Sequence, residues 1–133
     1  MVIYSNTAAQ TLTTGQSLTL AKTTGCQCNC SVNPTNGSSI KGSGVFVVAF
    51  TGNISGATAG APVQLSLAIN GAVIPGSRMV ATPAVAGNVN NVAAVTGFTG
   101  YGCCNGTTIT VVNTGANPVT VEAKASLVVF KDR

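Results

Sequence analysis

Val63-Gln64-Leu65-Ser66-Leu67-Ala68-Ile69-Asn70-Gly71-Ala72-Val73-Ile74-Pro75-Gly76 is the stretch on which the fold turns. Large apolar residues fall on every second position from Val63 to Ile69, the period of a strand whose successive side chains face opposite ways. Asn70-Gly71 follows, two residues that accept the positive φ of a type I′ turn, and an apolar run resumes at Ala72. The stretch predicts a β-hairpin.

The same grammar extends outward in both directions. Thr107-Thr108-Ile109-Thr110-Val111-Val112 alternates, as does Val119-Thr120-Val121, and both are rich in Val, Ile and Thr. Gly44-Val45-Phe46-Val47-Val48-Ala49-Phe50 is continuously apolar, which suits a strand covered on both faces. Turn signals separate these runs, among them Thr51-Gly52-Asn53, Asn105-Gly106 and Asn113-Thr114-Gly115. Strands are expected near residues 2–5, 10–13, 17–21, 26–31, 38–41, 44–51, 63–69, 72–74, 78–82, 88–96, 107–113 and 118–130. Gly52 to Pro62 is expected to be a mobile surface loop. Many short strands with Asn and Gly turns and no helical period make the class all-β, a sandwich or barrel.

Composition narrows the function. A chain of 133 residues fits one domain, expected over 1–133. Charged residues are 6% and hydrophobic residues 45% of the chain, so its surface is built from Thr, Ser, Asn and Gly. Weak surface charge on a small protein favours association, and an oligomer is expected. Lys22, Lys41, Arg78, Lys124, Lys131 and Arg133 are scattered singly, without the clustering that phosphate contacts need, so no nucleic-acid partner is expected. No apolar run reaches the length of a membrane-spanning helix, and Met1 to Asn6 lacks the features of a signal peptide, so no membrane partner is expected.

Enzymatic chemistry is poorly supplied. There is no histidine, and Glu122 and Asp132 are the two side-chain carboxylates, so neither a Ser-His-Asp triad nor a paired-carboxylate site can be assembled within one chain. No catalytic residue and no cofactor is expected. The five cysteines are Cys26, Cys28, Cys30, Cys103 and Cys104. On a strand the first three share one face, with side chains too parallel to pair with each other. Disulfide staples, with one intrachain bridge between the two clusters and the remaining thiols interchain or free, are favoured over a structural zinc site, which usually uses Cys-x-x-Cys. Reduced, packed thiols stand between these two readings. Tyr4 and Tyr101 carry a ring with a polar tip and are candidate ligand or interface contacts. For Tyr101, flanked by Gly100 and Gly102, an interface role is favoured over stacking on a sugar. Carbohydrate recognition without tryptophan would be weak per site and would rely on multivalency.

The hairpin Leu67-Ala68-Ile69-Asn70-Gly71-Ala72-Val73-Ile74-Pro75-Gly76, the strand Thr107 to Asn113 and the terminal Ala125-Ser126-Leu127-Val128-Val129-Phe130 together resemble the C1q/TNF-like jelly roll at the tip of exosporium collagen-like glycoproteins. The opening Ile3 to Thr11, with Gly102-Cys103-Cys104 and the Leu127-Val128-Val129 ending, resembles small proteins encoded among virion genes of phages and prophages of Firmicutes. The resemblance implies a jelly-roll β-sandwich of about ten strands that forms a homotrimer, with its last strand near the threefold axis. It implies a non-enzymatic structural or adhesive module on the virion surface, as head fibre, capsid decoration or fibre tip. The partners implied are capsid or other particle-surface proteins, with host-surface carbohydrate as a further candidate. The alternative is a bacterial cell-surface or spore-coat binding module, although this chain carries no collagen-like Gly-X-Y run.

Overall fold

The computed structural model describes residues 2–25, 38–40, 44–100 and 107–131. Within them lie twelve strands: β1 Val2–Ser5, β2 Gln10–Leu12, β3 Ala21–Gly25, β4 Ser38–Ile40, β5 Gly44–Ser55, β6 Val63–Ile69, β7 Ala72–Val73, β8 Met79–Ala81, β9 Val89–Gly100, β10 Thr107–Asn113, β11 Val119–Val121 and β12 Ser126–Lys131. They form a seven-stranded and a five-stranded sheet, and every strand pair is antiparallel.

The hairpin forms as the opening stretch predicts. Ile69 faces Ala72 across a two-residue turn in which Asn70 has φ 51° and Gly71 φ 86°. The Asn70 side chain adds a second function, because its Oδ1 accepts the Thr108 N–H at 2.9 Å while Asn70 N donates to Thr108 O at 2.8 Å. The turn is thereby fastened to β10. Gly71→Ala places a Cβ in the left-handed region with no compensating contact, and is expected to cost about 1 kcal/mol in thermal or denaturant unfolding.

β5 organises the large sheet. One edge is zipped along its whole length to β9, from Gly44 opposite Gly100 to Ser55 opposite Val89. The other edge is shared, with Phe46 to Thr51 pairing β12 and Ile54 and Ser55 pairing β11. β1 continues from β12, β3 from β1, and β2 from β11. The smaller sheet is β4-β10-β6-β7, with β8 also on β6. The inner faces meet in a core where Tyr4, Phe46, Phe50, Leu65, Leu67, Ile109 and Leu127 are fully buried. Phe46 and Phe98 stack across β5 and β9 with centroids 5.3 Å apart.

Several expectations are corrected. Thr51-Gly52-Asn53 lies inside β5 and is not a turn. Gly52 is there because its Cβ would sit 3.1 Å from Phe50 Cζ and 3.2 Å from the Ala125 Cβ, so the glycine makes room for the aromatic ring. The surface loop is correspondingly shorter, beginning after Ser55. Residues 118–130 form two strands, interrupted where Lys124 takes φ 68°. The buried Asn6 side chain holds that break, accepting the Ala125 N–H at 2.8 Å and donating to Glu122 O at 2.9 Å. The strand expected over 17–21 is not formed as such; Ser17 makes an isolated bridge to Val112, residues 18–20 are not strand, and β3 runs from Ala21 to Gly25. The expected strand over 26–31 lies outside the described residues.

Candidate functional site: the outer face of the large sheet

Alternation along β5 sends Phe46, Val48, Phe50 and Ile54 into the core and Val45, Val47 and Ala49 to the opposite face. Antiparallel register then sets their neighbours. Ile3 lies opposite Val128, Val128 opposite Ala49, and Ala49 opposite Val95, giving an apolar row across β1, β12, β5 and β9. Beside it run Phe130, Val47 and Gly97 on one flank, and Ser126, Thr51 and Ala93 on the other. Val95 is 69% exposed, Val45 40% and Phe130 39%, and no residue of these rows is charged.

Toward β11 and β2 the same face turns polar. Asn91 Nδ2 donates to Asn53 Oδ1 at 3.1 Å, and the hydroxyls of Thr11 and Thr120 lie 2.9 Å apart. The apolar zone therefore has a boundary. Cross-strand apolar pairs placed side by side over four strands form one continuous surface, the kind that monomeric proteins rarely leave to water. The residues of this surface were not singled out from the sequence. The signal was nevertheless present, in a β5 run apolar on both of its faces.

The candidate site residues fall differently. Tyr4, expected as a ligand or interface contact, is 1% exposed and belongs to the core, because its position on β1 faces Leu127 on the inner side of the sheet. Tyr101 lies outside the described residues, as do Cys26, Cys28, Cys30, Cys103 and Cys104. The strands that lead to the two cysteine clusters are described. β3 is antiparallel to β1, β1 to β12, β12 to β5 and β5 to β9, so β3 and β9 run in the same direction. Gly25 and Gly100 consequently deliver the chain to the same end of the sandwich. Among the described residues no three His, Cys, Asp or Glu side chains group as a metal site, and no helix is long and apolar enough to cross a membrane.

With this geometry in view, solved structures supply the comparison. A TNF, Eiger from S. frugiperda, superposes with a TM-score of 0.76 at 9% identity, over 99% of this chain and 91% of that one. The globular domain of zebrafish complement 1qA protein gives 0.70 at 13% identity, over 100% and 98%. This chain has the C1q/TNF-like jelly-roll fold. Murine APRIL, at pH 5.0, has the same sandwich with a TM-score of 0.68 at 9% identity, over 95% and 96%. No protein-family model and no curated protein matches the sequence. The C1q/TNF-like sandwich is thus shared in backbone while nearly all side chains differ, and what this chain does is argued from its own surface.

Proposed function

We propose that the chain is a non-enzymatic structural or adhesive module that assembles as a homotrimer through the outer face of its large sheet, and that it is carried on the surface of a bacteriophage particle. The observation that carries the assembly is the row Ile3, Val128, Ala49 and Val95, an apolar surface that no other described residue covers. A second copy supplies an equally uncharged, apolar surface, and burying both removes the cost of hydrating them. β9 adds to the argument: among the described residues this twelve-residue strand pairs with β5 alone, and long uncharged edges are normally covered. A role in assembly and contact also agrees with a chain that lacks histidine and has two acidic side chains.

The particle role rests on the resemblance to phage virion proteins and on a low-charge surface suited to packing among other subunits. Two measurements test the reading. Light scattering on the native chain is expected to give three times the monomer mass. The protein is expected to copurify with intact virions at fixed stoichiometry; recovery from spore or cell surfaces without virions instead assigns it to the bacterial surface.

For the cysteines we propose one bridge between the Cys26–Cys30 and Cys103–Cys104 clusters, consistent with β3 and β9 reaching the same end of the sandwich. An odd number then leaves at least one thiol for an interchain link or a free state. Alkylation of the folded, metal-free chain followed by mass measurement is expected to label at most three cysteines without reductant and all five with it. Labelling of all five in the folded state removes the bridge.

A further inference from the structure

We infer that the groove between β2 and the returning segment 13–19 is a binding site for a neutral polyhydroxyl ligand, a saccharide of one or two rings. The groove has a volume of about 650 Å³, within the ~300–1,000 Å³ of small-molecule sites, and is lined by Gln10, Thr11, Gly15, Gln16, Ser17 and Thr19 together with the apolar Leu12.

Its polar groups are held in place by the chain. Gln10 Nε2 donates to Thr19 O at 2.8 Å and its Oε1 accepts the Thr19 N–H at 2.9 Å, so the carboxamide spans the groove as a fixed strut. Each of its polar atoms keeps further bonding capacity, since an amide NH2 has two hydrogens and the oxygen two lone pairs. Gln16 Oε1 accepts the Thr13 N–H at 2.8 Å, which fixes the second carboxamide, and its NH2 group has no partner among the described residues. Thr19 is exposed, Ser17 is half-buried, and the backbone at Ser17 is anchored by its bridge to Val112.

The donor set selects the ligand chemistry. With no charged group lining it, the groove gives phosphate or carboxylate no counter-charge and gives a cation no anionic oxygen. A polyol both donates and accepts at each hydroxyl, matching carboxamides and hydroxyls that also do both. Because the side chains are already fixed, little ordering opposes binding. No aromatic ring lines the groove, so affinity per site is expected to be on the order of millimolar. The groove lies at the β2 edge, on the polar half of the large sheet and away from β9, so assembly through the apolar rows leaves it open. The inference concerns a single subunit and holds wherever the trimer is carried; the trimer adds avidity.

Titrating the isotope-labelled full chain with maltose, cellobiose or N-acetylglucosamine to tens of millimolar tests it by amide chemical shifts. At least one sugar is expected to give saturable shifts confined to Gln10, Gln16, Ser17 and Thr19, including the glutamine NH2 signals. Thr19→Val retains the backbone bonds to Gln10 and is expected to weaken that binding at least about fivefold while leaving the remaining spectrum unchanged. Absence of saturable shifts with all three sugars overturns the site, as does an unchanged affinity in Thr19→Val. A blocked neutral hexapeptide that shifts the β2 amides where the sugars do not overturns it in favour of strand addition at this edge. Because binding is read per subunit, a chain that proves monomeric or absent from virions still returns a result.

Discussion

Val95→Lys is expected to yield a folded monomer in place of the trimer. Val95 projects from the β9 end of the apolar row and is 69% exposed in the single chain, so a lysine there does not disturb the core. In the proposed trimer the same position would be covered, and an unpaired buried charge costs about 3–5 kcal/mol. Three copies act together, so the monomer–trimer equilibrium is expected to move by more than about 10⁶-fold. Sedimentation or light scattering reads the loss, and far-UV circular dichroism confirms retained β structure. Val85→Lys is the control: Val85 is 66% exposed but lies in the loop between β8 and β9, away from the row, and the substitution is expected to leave the mass of the assembly unchanged. A Val95→Lys variant that keeps the trimer removes the outer face from the interface.

Asn113→Ala is expected to be the most damaging single polar substitution in the fold. Asn113 ends β10, is 0% exposed, and bonds in three directions. Its Nδ2 donates to Leu12 O and to Asn117 O, each at 2.9 Å, and its Oδ1 accepts the Gly115 N–H at 2.9 Å. The side chain thus closes the β10–β11 turn and ties it to β2 of the other sheet. Alanine leaves one N–H and two carbonyls short of a partner, at about 1–3 kcal/mol for each that stays buried, and a total of about 3–5 kcal/mol is expected. For a chain of this size that is a fall in Tm of roughly 10–20 °C at fixed protein concentration. Asn91→Ala calibrates the result. Asn91 is exposed and its Nδ2 reaches Asn53 Oδ1 at 3.1 Å and Gly52 O at 3.3 Å, so its loss is expected to cost less than about 1 kcal/mol. Equal losses for the two variants would show that burial adds nothing at Asn113.

These two residues show what kinds of information were legible. Asn113-Thr114-Gly115 was recognisable as a turn because Asn and Gly favour that backbone locally. Its bond to Leu12, 101 residues away, has no local signature. Thr51-Gly52-Asn53 carried the same turn signature and proved to be strand, since the glycine answers to the Phe50 ring and to Ala125 in the distant β11–β12 connection. The burial of Tyr4 is illegible for a related reason: one tyrosine on a short strand gives no indication of which face is inside. The candidate interface was half legible. The β5 run announced that both of its faces are apolar, but the row to which Ala49 belongs is assembled from residues 3, 49, 95 and 128, whose adjacency exists only through register.

The sequence by itself determined that this chain is β throughout its described length, where the hairpin at Asn70-Gly71 turns, and that too little charge is present for a conventional soluble surface. Those properties are set by period-two burial, by the φ that individual residues tolerate, and by composition, all of which act over a few neighbouring residues or over none. Only the tertiary structure decided which apolar face is covered by the second sheet and which lies on its outer side. Strand pairing across more than a hundred residues makes that choice, and alternation is identical for either face.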